Sequence, residues 1–240
     1  MRPILAAAAL AAATALPVAA QDVVRLGTEG AYAPYNFIND AGEVDGFERE
    51  LGDALCERAG LACEWVTNDW DSIIPNLTSG NYDAIMAGMS ITPEREAVIA
   101  FTQNYLPPTA SAYAALEEGV DLEGGVVAAQ VNTIQAAHVA ESGATLLEFA
   151  TPDEAVGAVR NGEADAVFAD KDYLAPVVEE SADLVFVGED VELGGGIGMG
   201  LRQGEDELRA TFDEAIGAMK EDGSLNELIV KWFGEDALTF

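Results

Sequence analysis

Apolar residues in the first third of the chain follow two alternating spacings. Residues 23–27 (VVRLG) form a short run that predicts a strand, and residues 47–55 carry apolar side chains at helical spacing. Residues 64–66 (EWV) then predict a second strand. Because strand and helix alternate, the pattern predicts an α/β fold with a mostly parallel sheet.

The same helix-to-strand pattern occurs twice. A predicted helix ends at Gly80 before an apolar strand, and a later one ends at Gly162 before another. The segments 79–88 (SGNYDAIMAG) and 161–170 (NGEADAVFAD) align without gaps. Two such units predict two similar α/β lobes, each with a pocket edge at the carboxyl ends of its strands.

Two segments are predicted to connect the lobes. Residues 106–109 (LPPT) contain two prolines, and residues 193–200 (LGGGIGMG) are rich in glycine. The glycines could also form a phosphate loop, but their spacing is not GxGxxG, so a flexible connection between lobes is favoured. Further on, Ser224 and Glu227 predict a capping box at the start of a last helix.

The N-terminal residues have a different pattern. Arg2 precedes an Ala/Leu-rich run, and a segment of small residues ends at Ala20. This arrangement predicts a signal peptide over residues 1–20, cleaved after Ala20, and hence a periplasmic protein. The run is too short for a stable membrane span, so we expect the mature protein to be soluble.

The chain is strongly acidic, with 11 basic against 43 acidic residues and a formal net charge of -32. Nucleic acid and anionic lipid are therefore not expected as partners, because both need positive charge on the protein. The carboxylates are interpreted as adaptation of the surface to a salty habitat. Attraction of cationic solutes is the alternative, but salt screens charges beyond roughly 8 Å.

No motif of enzymatic or metal chemistry is recognisable. His138 is the only histidine, no cysteine or acidic residue stands at metal-ligand spacing around it, and neither a GxSxG, an HExxH nor a P-loop motif is present. We therefore expect no catalytic residues, no metal and no cofactor. The two cysteines, Cys56 and Cys63, are expected to form a structural disulfide in an oxidising compartment.

Four segments together resemble the periplasmic polar amino-acid-binding proteins of ABC transporters, which are family 3 of the solute-binding proteins. They are residues 26–35 (LGTEGAYAPY), 46–48 (GFE), 69–75 (DWDSIIP) and 89–95 (MSITPER). The cysteine pair and residues 84–90 look most like the subgroup that binds lysine, arginine, ornithine, histidine or opines.

This resemblance implies a type II periplasmic-binding-protein fold, in which two α/β lobes joined by two crossovers enclose a ligand cleft. Lobe 1 would comprise residues 22–109 and 197–240, and lobe 2 residues 110–196. A monomer would close around a polar, cationic L-amino acid and deliver it to an ABC permease in the inner membrane.

Two other functions are compatible with such a fold, because fold alone never decides function. One is a periplasmic dehydratase that acts on a cyclic amino-acid precursor. The other is the ligand-sensing module of a receptor, which is disfavoured because no signalling segment follows Phe240.

The resemblance also assigns ligand-binding roles. Arg95 matches the arginine that binds the α-carboxylate of the ligand, Ser90 matches a residue that donates to the same carboxylate, and Asp170 matches the partner of the α-ammonium. Tyr32 and Trp70 match the aromatic walls around the ligand side chain. The other implied contacts are Glu29 at the far end of that side chain, Gly88, and Thr133 through its hydroxyl and N–H.

Simpler interpretations remain open for five of these residues. Arg95 could be an exposed helix residue, and Tyr32 and Trp70 could pack in the core. Asp170 could cap the helix that begins at Lys171, and Glu29 could be a solvated loop acid.

The chain also departs from the family pattern. Residues 132–135 (NTIQ) replace a Gly-Ser/Thr-Thr-Gln segment, so Ile134 offers only its N–H. Ala87 and Gly88 stand where relatives with a lysine-type pocket carry serine. These departures leave the specificity for the ligand side chain undetermined.

Overall fold

The structure is a computed structural model that describes residues 23–181 and 183–240. The predicted signal peptide, residues 1–20, lies outside these described ranges. Within them, no helix has the length and apolar character needed to cross a membrane.

The chain passes from one sheet to a second and then back. The first part contains β1 (Val24–Thr28), β2 (Ala31–Tyr32), β3 (Asn36–Ile38), β4 (Val44–Asp45), α1 (Phe47–Ala59), β5 (Cys63–Thr67), a 3-10 turn (Trp70–Ser72), α2 (Ile73–Thr78), β6 (Ala84–Ile85), α3 (Pro93–Glu96) and β7 (Ile99–Leu106). The second part contains β8 (Ala110–Ala115), β9 (Val126–Gln130), α4 (Ile134–Ser142), β10 (Thr145–Phe149), α5 (Pro152–Arg160), β11 (Ala166–Asp170), α6 (Lys171–Glu180) and β12 (Val185–Glu192). The chain returns with β13 (Ile197–Arg202), α7 (Asp206–Asp222) and α8 (Ser224–Phe233).

Two five-stranded sheets organise these elements. The sheet of lobe 1 has the order β5-β1-β6-β13-β7, and the sheet of lobe 2 has the order β10-β9-β11-β8-β12. In each sheet three strands pair in parallel, and one strand next to a crossover (β13 or β8) pairs antiparallel with its neighbours. The expected two-lobed α/β architecture is therefore confirmed, whereas the exact residue boundaries of the lobes stay a prediction.

Helix α1 illustrates how the sequence builds lobe 1. Its residues Phe47, Leu51 and Leu55 repeat every four positions and are all buried, so they form the face that packs on the lobe 1 core. The helix ends at Gly60, whose φ of 66° is the left-handed conformation that glycine adopts without strain. Cys56 of α1 and Cys63 of β5 form the predicted disulfide, with 6.2 Å between their Cα atoms.

Two local predictions are wrong. Gly223 ends α7 with a φ of 82° and directly precedes α8, so Gly223 occupies the N-cap position that the predicted capping box assigns to Ser224. The Ser224 hydroxyl donates to Asp222 instead. The second crossover is shorter than predicted, because Gly198 and Gly200 belong to β13. A Cβ atom at Gly200 would lie 3.0 Å from the Ile99 side chain, so glycine is needed there for close packing and not for flexibility.

Candidate functional site

A small cavity lies at the interface between the two lobes, where the strands of both sheets end. We call this interface the seam. Its volume is about 20 Å³, which is room for about one water molecule. Its walls are Glu29, Tyr32, Trp70, Ala87, Gly88, Ser90, Arg95, Thr133, Ile134, Gln135 and Asp170. All eight residues predicted to bind a ligand line this cavity, although their contact with a ligand stays a prediction.

Arg95 projects from the short helix α3 towards the seam. The Thr92 hydroxyl caps this helix by accepting from the backbone N–H of Arg95 at 3.3 Å. The guanidinium donates to the carbonyls of Ser90 at 2.8 Å and Asn132 at 3.4 Å, and it lies over the Trp70 ring, 5.3 Å from the ring centroid. The side chain is thus fixed by one carbonyl from each lobe.

No carboxylate in the described ranges forms an ion pair with Arg95, although the side chain is largely enclosed. Burial lowers the pKa of Arg95 to about 10, and the charges of Asp170 and Glu94 partly oppose this effect. The guanidinium therefore remains protonated at neutral pH with donors to spare. A guanidinium in this situation can bind a carboxylate in a bidentate manner.

Asp170 faces the same cavity from lobe 2, at the end of β11. It is 8% exposed, and its carboxylate accepts from the Tyr32 hydroxyl at 2.7 Å and from Gln135 Nε2 at 2.9 Å. Asp170 occupies the N-cap position of α6, but its side chain makes no capping hydrogen bond, so the helix-cap interpretation is correct for the position only. Burial raises the pKa of Asp170 to about 6, and Tyr32 and Arg95 act in the opposite direction. Such a carboxylate can pair with a ligand ammonium.

Glu29 closes another side of the cavity. Its carboxylate accepts from Gln130 Nε2 of lobe 2 at 2.6 Å, and the same amide nitrogen donates to Ala150 at 3.1 Å. Burial raises the pKa of Glu29 to about 7, and the nearby charges of Asp69 and Asp153 add to this effect. Glu29 is consequently partly buried and engaged across the seam, which disfavours the solvated-loop interpretation.

Aromatic rings form the remaining walls. Tyr32 is stacked between Tyr173 of lobe 2, at 4.6 Å between ring centroids, and Tyr35 of lobe 1, at 5.3 Å. Trp70 lines the cavity and also packs with buried residues of lobe 1 such as Ile73, so the core interpretation is correct in part. The Nε1–H of Trp70 is buried without a hydrogen-bond partner among the described residues.

The hydroxyl of Thr133 has a structural role. It donates to the Gln130 carbonyl at 2.7 Å and accepts from the backbone N–H of Ala136 at 3.0 Å, which caps helix α4. The Thr133 hydroxyl therefore has partners inside lobe 2, and its contact with a ligand stays a prediction.

Sequence reasoning missed Gln135 as a cavity residue and Gln130 as the partner of Glu29. Both are buried amides that hold a carboxylate of the site, Glu29 and Asp170 respectively. Gln135 matches the last residue of the family pattern that residues 132–135 otherwise replace, so its position was a usable signal. For Gln130 the sequence offered no such signal.

A wider groove of about 700 Å³ adjoins the small cavity. The two share Trp70, Arg95, Thr133 and Ile134 as walls, so only side chains separate them. The groove lacks Asp170 and Glu29, so the small cavity is the better candidate for the site.

Comparison with known proteins gives consistent results. The sequence model of the bacterial extracellular solute-binding proteins, family 3, matches residues 24–235. The chain is 30% identical to the octopine-binding periplasmic protein of Rhizobium meliloti, over 95% of this chain and 96% of that protein. It is also 30% identical to the lysine/arginine/ornithine-binding periplasmic protein of Escherichia coli, over 93% of this chain and 92% of that protein.

A solved structure is more similar still. It is a periplasmic binding protein of the His/Glu/Gln/Arg/opine family from Silicibacter pomeroyi in complex with lysine. That protein is 72% identical in sequence, and the superposition has a TM-score of 0.89 over 90% of this chain and all of that one.

Proposed function

Because the chain belongs to family 3 of the bacterial extracellular solute-binding proteins, we propose that it is a periplasmic receptor for a cationic L-amino acid, with lysine as the first candidate. It would close around the amino acid and deliver it to an ABC transporter. The relatives named above are periplasmic binding proteins for basic amino acids or opines, and the 72% identical protein was solved with lysine.

The balance of charges in the cavity carries this proposal. Its walls contain two carboxylates, Glu29 and Asp170, and one guanidinium, Arg95, which sum to one negative charge when all are ionised. A lysine brings two ammonium groups and one carboxylate, so it neutralises the cavity. Glutamine would leave one negative charge buried and glutamate two, and a buried unpaired charge is costly.

The position of each charged group matches the two ends of the ligand. Arg95 has free donors for the α-carboxylate, and Asp170 lies opposite on lobe 2, where it can receive the α-ammonium. Glu29 would receive the side-chain ammonium beyond the Tyr32 ring. Ligand then contacts both lobes, so binding favours the closed arrangement over an open one.

Besides the bond from Arg95 to Asn132, three residue pairs form hydrogen bonds across the seam, which supports closure. These pairs are Tyr32 with Asp170, Gln130 with Glu29, and Tyr35 with Asp172. The cavity of about 20 Å³ is smaller than a lysine, so the proposal requires that the lobes separate for a ligand to enter. We propose that residues 22–109 with 197–240 move against residues 110–196, because the chain crosses between the sheets at residues 107–109 and 193–196.

The finer aspects of this role follow from the sequence. Residues 1–20 would direct export and be removed, and the mature monomer would present its closed form to a permease of the inner membrane. Arg95 and Asp170 are suitable partners for both α-groups of an amino acid, which favours a receptor over the dehydratase alternative, and a receptor would return its ligand unchanged.

Native mass spectrometry of protein purified without denaturation tests the proposal directly. We expect a co-purified mass that corresponds to a basic amino acid. A thermal-shift screen should agree, because ligand at about 100 times its dissociation constant adds roughly 2.7 kcal/mol of stability. If only glutamate, glutamine or aliphatic amino acids raise the melting temperature, the cationic assignment is wrong.

A further inference from the structure

Glu48, the second residue of α1, is a carboxylate in an unusual place. It is completely buried, yet it does not line the cavity, and within residues 23–181 and 183–240 no cation is paired with it. A buried carboxylate without a counter-ion is unfavourable unless hydrogen bonds satisfy its oxygens. The structure supplies those bonds from three different segments of lobe 1.

The three donors together satisfy both oxygens of the carboxylate. Oε1 accepts from the backbone N–H of Gly88 at 2.7 Å and from the Tyr105 hydroxyl, while Oε2 accepts from Asn36 Nδ2 at 2.7 Å. Burial raises the pKa of Glu48, and the three hydrogen bonds oppose that rise.

Each donor leads to a part of the proposed site. Gly88 is a cavity wall with a φ of 61°, and a Cβ atom there would already contact the Tyr32 ring at 3.4 Å. Asn36 uses its Oδ1 to accept from the backbone N–H of Gly30 at 2.7 Å, next to Glu29. Moving Glu48 would therefore disturb the backbone beside both an aromatic wall and an acidic wall.

The third donor, Tyr105, lies close to the first crossover between the lobes. Tyr105 lies in β7, which ends one residue later and continues into the crossover of residues 107–109. The Tyr105 hydroxyl donates to Glu48, which also accepts from Gly88 and Asn36. The Glu48 carboxylate therefore connects β7 to both of these cavity segments.

We propose that Glu48 is a positioning residue that holds the lobe 1 half of the ligand site in register with the first crossover. It acts through Gly88, Asn36 and Tyr105 and does not touch the ligand. The inference rests on the proposed function, since its effect is measured as ligand affinity.

Glutamine at this position tests the idea with little change in shape. In Glu48→Gln, an oxygen can still accept from Gly88, but the new amide nitrogen opposes the Nδ2 donor of Asn36. Asn36 cannot simply turn over, because its oxygen is needed by Gly30. We expect lysine affinity, measured by calorimetry well below the melting temperature, to fall by about tenfold or more.

A compensating change sharpens the test. Asn36→Asp alone places two carboxylates face to face and should also weaken binding. In the double variant Glu48→Gln with Asn36→Asp, the amide donates to the new carboxylate, which still accepts from Gly30. Affinity should therefore return to within about threefold of the wild type.

Asp83 provides a matched control, because it stands just before β6, whereas Gly88 lies beyond the other end of that strand. It accepts hydrogen bonds from Arg25 and Arg202, and in the described part of the chain it forms no hydrogen bond or ion pair with a cavity residue. Asp83→Asn should lower the melting temperature and leave lysine affinity unchanged. If Glu48→Gln also changes only the melting temperature, Glu48 is merely structural and the inference is overturned.

Tyr105→Phe covers the case in which the glutamine variant does not fold, because it removes one donor and adds no polar atom. It should weaken lysine binding, and unchanged affinity would count against the inference. If the wild type itself binds no basic amino acid, the proposed function fails first, so the two failures are distinguishable.

Discussion

The two lobes contribute to the cavity in different ways. Lobe 1 supplies Arg95, Glu29 and the aromatic walls, and its cavity backbone is fixed by hydrogen bonds inside the lobe, with Glu48 at their centre. Lobe 2 supplies one charged side chain, Asp170, whose hydrogen bonds come from both lobes. We therefore propose that lobe 1 receives the ligand before closure and that the lobe 2 site is complete only when the lobes meet.

From this difference between the lobes we propose how the binding of one amino acid favours closure. The α-carboxylate is proposed to bind lobe 1, and the α-ammonium is proposed to bind lobe 2. A ligand that lacks either group cannot favour the closed form by its full differential affinity. The predictions below test each half of this division.

The largest effect is expected for Arg95→Ala, which removes the anion site of lobe 1. Lysine binding should weaken by roughly 3 to 5 kcal/mol, because a charge-assisted contact in an enclosed cavity is lost. The fold should persist, since Arg95 forms no ion pair in the described part of the chain. Calorimetry and circular dichroism measure the two quantities.

Arg209→Ala is the control for that variant, because Arg209 forms only exposed ion pairs on α7. It should bind lysine as the wild type does. Affinity of Arg95→Ala within twofold of the wild type would remove Arg95 from the site.

Asp170→Asn tests the lobe 2 half and should have the next largest effect. It removes the charge that pairs with the α-ammonium, at a cost of about 1.5 to 3 kcal/mol in binding. The free protein should be no less stable, because burial already disfavours the ionised form of Asp170, as its raised pKa of about 6 indicates. Titration calorimetry combined with a melting curve checks both expectations, and an unchanged dissociation constant would refute the division between lobes.

Affinity should also depend on pH, because burial raises the pKa of Asp170 to about 6 and that of Glu29 to about 7. The folded protein holds these protons more tightly than the unfolded chain. The two acids therefore add stability that is fully present below about pH 4 and is lost as pH rises to about 7.

The affinity for lysine should change with pH in the opposite direction to this stability, because an ammonium group pairs with the ionised carboxylate. We expect affinity to rise between pH 5 and 8, by at most about tenfold per pH unit for each proton released. Glu29→Gln should remove the upper part of the rise. A flat profile measured by calorimetry would be inconsistent with ionised Glu29 and Asp170 in the complex.

The smallest effect is expected for a hydrogen bond that crosses the seam away from the ligand. Tyr35→Phe removes the bond from Tyr35 to Asp172 at 3.3 Å and should weaken binding by about 0.5 to 1.5 kcal/mol, equally for lysine and arginine. Tyr82→Phe is the matched control, because the Tyr82 hydroxyl bonds to Ile73 within lobe 1. It should affect stability alone, and equal loss of affinity in both variants would show that crossing the seam is unimportant.

The sequence predicts the parts of this molecule that depend on local pattern. Apolar spacing identifies α1, and the four family-like segments contain five of the eight predicted cavity residues, namely Glu29, Tyr32, Trp70, Ser90 and Arg95. The Glu48 hydrogen bonds could not be predicted, because Gly88 and Tyr105 are 40 and 57 positions away and only the folded chain makes them neighbours.

The wrong predictions have physical causes of the same kind. The glycines of residues 198–200 suggest flexibility, but they lie in β13 because Ile91 and Ile99 pack where a Cβ atom would be. The capping box at Ser224 fails because α7 and α8 adjoin at Gly223. Side-chain packing outweighs a local preference in the first case, and in the second case the preceding helix leaves Gly223 as the N-cap of α8.

The charge balance of the cavity can be tested in one calorimetric comparison of three amino acids of similar size. L-Lysine, L-norleucine and L-glutamate share the α-groups that Arg95 and Asp170 are proposed to bind, and they differ in the charge that reaches Glu29. We predict that lysine binds most tightly, norleucine at least about tenfold more weakly, and glutamate weakest, because it adds a second buried negative charge. Norleucine or glutamate binding as tightly as lysine would contradict the proposal that the cavity selects a cation.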